Sequence, residues 1–221
     1  MGPRGDAIAQ MDWCTGEIIK ELEKNNLAKN TLIIFTSDNG PVLNDGYDDD
    51  AIEKLGEHNP SGPFRGGKYS AFESGTRVPT ITYWPGIIKP NTSDALMTQV
   101  DLFASLAKLA DKNTDYDIGL DSEDFLDTFL GLSIKGREYM IEESYTLSLR
   151  HGKWKYIKPL NTEQNIPEWV FLKKGIEPGL MKDSQLYNLF NDKGEKLNIA
   201  LSEPLKVATL QNKLNEIINK K

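Results

Sequence analysis

The chain has 221 residues, 38% of them hydrophobic and 27% charged, enough for one large domain or a main domain with a small appendage. Its 26 Lys and Arg against 33 Asp and Glu give a formal net charge of −7, which argues against nucleic acid or an anionic membrane as the main partner. A few local cations can still serve an anionic substrate. No apolar run approaches the ~18 residues of a membrane span, and the single cysteine, Cys14, has no partner for an internal disulfide.

Apolar residues Ile8, Met11, Ile18, Ile19 and Leu22 recur at helical spacing, predicting a helix from Asp6 to about Asn26. The opening stretch "MGPRGDAIAQMDW" has no apolar h-region and enters this helix almost at once, as if the chain started partway through a domain. A turn at Asn25-Asn26 leads to "TLIIFTS", residues 31–37, a β-branched run suited to a buried parallel strand. Helix, short connection and buried strand together predict an α/β fold. "RVPTITYWPG" supplies a second strand and residues 93–110 a helix with Leu102, Phe103, Leu106 and Leu109 on one face.

"DKNTDYDIGLDSED" reads as an acidic surface connection, and residues 137–144 as a further strand. Beyond it the texture changes. "LSLRHGKWKYIKPL" predicts a hairpin turning at His151-Gly152, with His151 structural or solvated, and "SQLYNLFND" a short strand and turn. A closing helix follows, with Ser202 as N-cap, Pro204 in its first turn and Lys220-Lys221 at its end. The expected division is residues 1–140 as the main domain and 141–221 as a small antiparallel sheet packed by one helix.

Two stretches offer chemistry. The strand "TLIIFTS" runs into Asp38-Asn39-Gly40-Pro41, and ligands of open α/β sheets bind beyond the carboxyl ends of strands. A carboxylate beside an amide oxygen suits a hard cation such as Ca²⁺ or Mg²⁺. An Asx turn closing the strand explains the tetrapeptide as well, and is the commoner use of such residues. The acidic stretch "NDGYDDDAIEKLGE" fails the EF-hand spacing and reads as a helix start at Asp48–Asp50. In "FRGGKYSAFESGTRVP", two glycines permit close backbone approach and place Lys68 on a bend, where its ammonium can meet a tetrahedral anion or simply face solvent. Glu73 and Arg77, four apart, read as a local ion pair bracing the loop.

In order, "NTLIIFTSDNGP", "GPFRGGKYSAFESGTRVPTITYWPG" and "VDLFASLAKLA" resemble the arylsulfatase-type (type I) sulfatases of the alkaline-phosphatase-like superfamily. The likeness continues upstream through "IAQMDWCTGEIIKELEKNNL" and downstream through "LRHGKWKYI" and "QLYNLFND", so it spans nearly the whole chain. It implies a partial alkaline-phosphatase-like, parallel-type sheet flanked by helices, followed by the small C-terminal sheet. It further implies that Asp38 and Asn39 contribute to one divalent metal site, usually calcium, and that Lys68 holds the substrate's sulfate. His58 lies where a histidine of sugar-sulfate-cleaving relatives would meet substrate, and a surface histidine is the alternative.

Relatives of this type carry a formylglycine made from Cys or Ser in a Cys/Ser-x-Pro-x-Arg signature, far upstream of the Asp-Asn pair. It attacks sulfur, and the resulting enzyme sulfate ester releases sulfate. Here Cys14 is followed by "TGEI", and the one formal match, "SGPFR" from Ser61 to Arg65, lies downstream of "SDNG" and runs directly into "GGK". Ser61 is therefore not expected to be the nucleophile. The expected chain is the C-terminal portion of a sulfatase, inactive alone, with a sulfated sugar as the substrate that its polar loops suit. Family resemblance points to a periplasmic or secreted protein, and an exposed sheet edge to self-association. A phosphatase, phosphodiesterase or phosphonate hydrolase of the same superfamily is disfavoured, because Asn39 stands where those hydrolases place a histidine and the chain has 2 histidines in all. A non-catalytic metal- or anion-binding remnant is the third reading.

Overall fold

The computed structural model describes residues 1–112, 121–160 and 177–219. The predicted acidic connection lies largely outside these residues, as do Lys220 and Lys221. The chain groups into two compact units. One is built from Glu21–Phe35 and Thr80–Met140, the other from Met1–Lys20, Thr36–Pro79 and Ile141–Lys221.

Helix α1, Gly2–Lys24, buries none of its residues. It ends in a Schellman motif: the Asn26 N–H donates to the Glu23 carbonyl at 3.0 Å and the Leu27 N–H to that of Leu22 at 2.8 Å. Asn26 sits at φ +58°, a conformation its short polar side chain tolerates. The predicted strands appear in shortened form as β1, Ile33–Thr36, and β2, Thr80–Tyr83, which pair as a two-stranded sheet. The Thr82 hydroxyl donates to the Phe129 carbonyl at 2.7 Å. Phe129 ends the short helix α4, Leu126–Phe129.

The helix predicted over 93–110 is shorter than its apolar pattern suggests. A 3₁₀ turn at Gln99–Asp101 precedes α3, Leu102–Leu109, and residues 93–98 are not helical. The cause is Asp101, which is fully buried. Its carboxylate accepts the Thr98 N–H at 3.1 Å in a capping box, the Glu123 N–H at 3.0 Å and the Arg137 guanidinium. A side chain committed to closing the N-terminus fixes where the helix begins.

In the other unit, β3 (Met140–Glu143), β4 (Leu147–His151), β5 (Trp154–Ile157) and β6 (Gln185–Asn188) form one sheet in chain order. β4 and β5 are antiparallel with His151 opposite Trp154, so the hairpin turns at Gly152-Lys153, one residue later than predicted. β5 and β6 are also antiparallel. Helix α5, Pro204–Asn219, contacts β5 and buries Leu210 and Leu214, one helical turn apart. Ser202 does not cap α5, because its hydroxyl donates back to the Ile199 carbonyl at 3.0 Å. The helix start predicted at Asp48–Asp50 does not form either. Asp50 stands at φ +53°, Gly46 and Gly56 flank it at positive φ, and the segment closes a single turn.

The apolar centre of this unit is Ala71, Phe72, Ile157, Tyr187 and Leu189, with Phe72 and Tyr187 edge to face at 5.9 Å between ring centroids. Beside it runs a buried ionic network. Glu73, at the start of helix α2 (Glu73–Thr76), accepts Arg150 at 2.6 Å and Lys155 at 3.2 Å, and Lys155 also reaches Glu142 at 2.9 Å. Burial pushes the Glu73 carboxyl up, but Lys155 and Arg150 outweigh it and hold it at about 2. The predicted Glu73–Arg77 pair exists at 3.2 Å. It is the exposed margin of this larger network.

Candidate functional site

The chain beyond β1 turns sharply at "SDNG". The Gly40 N–H donates to the Gly75 carbonyl at 2.9 Å, and a Cβ on Gly40 would stand 1.6 Å from the Ser74 carbonyl oxygen. Glycine is therefore required for the turn to dock on α2. The Asn39 amide nitrogen donates to the Gly40 carbonyl at 2.9 Å, which leaves its oxygen as the group able to meet a cation, and Asp38 beside it is exposed.

The second strand of the site is "RGGK". The Lys68 N–H donates to the Pro41 carbonyl at 2.9 Å, and a Cβ on Gly67 would approach that same oxygen to 2.5 Å. The two motifs are thus held together by backbone contact that larger residues would prevent. Asp38, Asn39 and Lys68 line one cavity of about 350 Å³, together with Tyr69, Ser70, Gly75, Thr76 and the Glu143–Tyr145 bend after β3. Lys68 is half-buried, with Asp45 at 3.7 Å and the Tyr69 ring centroid at 5.3 Å from its ammonium. Burial lowers the Lys68 pKa, but Tyr69, Asp45 and Asp38 outweigh it, and the net shift is upward. The ammonium therefore stays charged at neutral pH and can receive an anion.

Thr76 joins the cavity to the buried network by donating to Glu142 at 2.7 Å. Ser61 is not in the cavity wall, and its hydroxyl donates to the Gly66 carbonyl at 3.0 Å. Arg65 is committed elsewhere: it pairs with both Glu177 oxygens at 2.6 and 3.0 Å, donates to the Glu195 carbonyl and lies 4.2 Å from the Phe72 ring centroid. "SGPFR" is therefore a structural brace beside the site. His58 is half-buried and does not line the cavity. Tyr69, Ser144 and Tyr145 are wall residues that sequence reasoning did not single out. Tyr69 adjoins Lys68, but Ser144 and Tyr145 sit in a short connection with no periodic or motif signal.

The sulfatase family profile matches residues 1–112. An N-acetylgalactosamine-6-O-sulfatase of Bacteroides thetaiotaomicron is 44% identical over 219 residues, covering 98% of this chain and 42% of that protein. A solved structure described with the metabolism of multiple glycosaminoglycans by Bacteroides thetaiotaomicron superposes with a TM-score of 0.91 at 44% identity, covering 98% of this chain and 44% of that one. The phosphonate monoester hydrolase of Agrobacterium radiobacter, at 18% identity and a TM-score of 0.59 over 95% of this chain and 39% of that one, shares the fold alone. The chain spans less than half the length of these proteins. It belongs to the sulfatase family and has the mixed α/β, alkaline-phosphatase-like fold of its C-terminal portion.

Proposed function

We propose that this chain is part of a sulfuric ester hydrolase acting on a sulfated sugar, with Lys68 holding the sulfate group and Asp38 and Asn39 supplying two oxygen ligands to one divalent cation, calcium. The observation that carries this reading is that these three side chains line one cavity. A protonated lysine facing a cavity can neutralise a sulfate ester and stabilise the charge that develops as the bond to sulfur breaks. The name of the 44% identical relative, an N-acetylgalactosamine-6-O-sulfatase, supports a sugar as the carrier of the sulfate.

The donor chemistry fits a hard cation, which takes oxygen ligands, roughly six to eight of them for calcium. Among the described residues no group of three or more His, Cys, Asp or Glu side chains is arranged to hold a metal. Asp38 and Asn39 would therefore share the ion with ligands other than the described His, Cys, Asp and Glu side chains. Bound there, the cation would supply positive charge beside the sulfate. His58 would meet only a ligand that extends past the cavity.

The chain has no nucleophile signature in a usable place, so it should bind sulfate without turnover. Calorimetric titration of the purified 221-residue chain with inorganic sulfate should show binding that Lys68→Ala abolishes, and incubation with N-acetylgalactosamine 6-sulfate should release no sulfate. Sulfate release, or binding indifferent to Lys68→Ala, would overturn the reading.

A further inference from the structure

Six non-glycine residues among those described stand at positive φ: Asn26, Asp50, Tyr69, Asp111, Tyr145 and Glu195. Asn and Asp tolerate that conformation, whereas for a bulky aromatic it is an outlier that persists only where the surroundings over-determine it. Both outlying aromatics, Tyr69 at +75° and Tyr145 at +56°, line the cavity that holds Asp38, Asn39 and Lys68.

Each is clamped from both sides. Around Tyr69, the Lys68 N–H is held by Pro41, the Ser70 N–H by Gly67, and the Ser70 hydroxyl donates to the Glu177 carbonyl at 2.5 Å. Around Tyr145, the Ser144 N–H donates to the Thr146 carbonyl at 2.9 Å, and the Thr146 hydroxyl donates to the Lys158 carbonyl at 3.0 Å. The same cavity wall holds an unmet demand: among the described residues, the buried Ser144 hydroxyl has no hydrogen-bond partner. Such a group costs free energy unless something arrives to pair with it.

We propose that Tyr69, Ser144 and Tyr145 form the sugar-recognition wall of the Lys68 cavity, the two rings receiving the apolar face of a pyranose and the Ser144 hydroxyl pairing with a sugar hydroxyl. Aromatic surface with a few placed polar groups is the usual lining of a small-molecule site. The wall rests on the reading of Lys68 as the sulfate holder only for the ligand's other end.

Strain kept for function gives a signature that a packing role does not. Asparagine suits positive φ, so Tyr69→Asn and Tyr145→Asn should leave the melting temperature unchanged or raise it. Each should weaken N-acetylgalactosamine 6-sulfate about tenfold, the effect of ~1.4 kcal/mol, and Tyr145→Asn should do so with inorganic sulfate affinity unchanged. Ser144→Ala should likewise weaken the sugar ligand alone. The wall is overturned if the Asn variants lower the melting temperature without touching sugar binding, if both ligands weaken equally, or if the unaltered chain binds the sugar sulfate no better than sulfate. A Lys68→Ala arm separates the two ideas. Should sulfate binding survive it while Tyr145→Asn still weakens the sugar ligand selectively, the role of Lys68 fails and the wall stands.

Discussion

Lys155 Nζ lies 3.2 Å from Glu73 Oε1, and neither side chain has any solvent exposure. The contact joins β5 to α2, the helix on which the Asp38-Asn39 turn docks, and Glu142 completes the arrangement at 2.9 Å from the same ammonium. Removing one member of such a set costs more than the set contributes net, because the others remain buried and charged. Lys155→Met should therefore destabilise the chain by about 3–5 kcal/mol in chemical denaturation. Adding Glu73→Gln to that variant should recover part of the loss, and an additive double mutant would show that the two charges do not interact.

Glu195 supplies the pH dependence. It is fully buried, its Oε2 accepts the Glu73 N–H at 2.7 Å and its Oε1 has no hydrogen-bond partner among the described residues. Burial pushes its carboxyl from an ordinary 4.5 up to about 7, a rise that Lys155 and the Glu73 N–H oppose and the Glu73 and Glu142 carboxylates assist. A folded value above the unfolded one means that the protonated form is favoured by folding. Its contribution is fully present below the unfolded value and is lost as pH rises through about 7. Glu73, held at about 2, does not titrate in that window. Glu195→Gln keeps an acceptor for the Glu73 N–H and removes the titration. Thermal melts should show the parent chain losing on the order of 2–3 kcal/mol between pH 5 and pH 8, with the variant nearly flat and more stable at the upper end.

Local signals in this chain were legible and distant ones were not. The β-branched run of β1, the β4–β5 hairpin, the "SDNG" turn and the double glycine before Lys68 each announce themselves within a few residues. Glu73 shows the limit: its neighbour at helical spacing, Arg77, was visible, but Arg150 and Lys155 reach it only through the tertiary fold. The start of α3 lies later than its apolar pattern predicts, for a related reason. Apolar residues continue upstream of Leu102, while the group that sets the boundary, Asp101, is held by hydrogen bonds from Arg137 and the Glu123 N–H, far along the chain. Ser144 and Tyr145 join the cavity the same way, from a connection with no pattern of its own.

Gly40 tests how tightly the Asp38-Asn39 turn depends on α2. A methyl group at Gly40 would stand 1.6 Å from the Ser74 carbonyl oxygen and 2.7 Å from its carbon. Backbone on both sides must yield, which is harder than the rearrangement of a flexible side chain. Gly40→Ala should cost about 1–3 kcal/mol in denaturant titration, the usual range for overpacking. It should also displace Asn39 from Gly40-dependent geometry, so any calcium-induced rise in melting temperature seen for the parent chain should shrink. A Gly16→Ala control, on α1 with open space around it, should be neutral or slightly stabilising. Equal effects at the two positions would contradict the close approach.

Lys68 and Lys155 should then separate function from stability. Lys68 has 27% of its side chain exposed and pairs with Asp45 at 3.7 Å, a distance and exposure at which an ion pair contributes little. Its main-chain N–H, not its ammonium, anchors the loop to Pro41. Lys68→Met should therefore change stability by less than about 1 kcal/mol. Lys155→Met should weaken sulfate binding only to the extent that the chain unfolds, whereas Lys68→Met should abolish it in a chain that melts normally. Paired thermal melts and sulfate titrations on the two variants check this directly. A Lys68 variant that unfolds like the Lys155 variant would make Lys68 a structural residue, and normal sulfate binding by a folded Lys68 variant would remove it from the site.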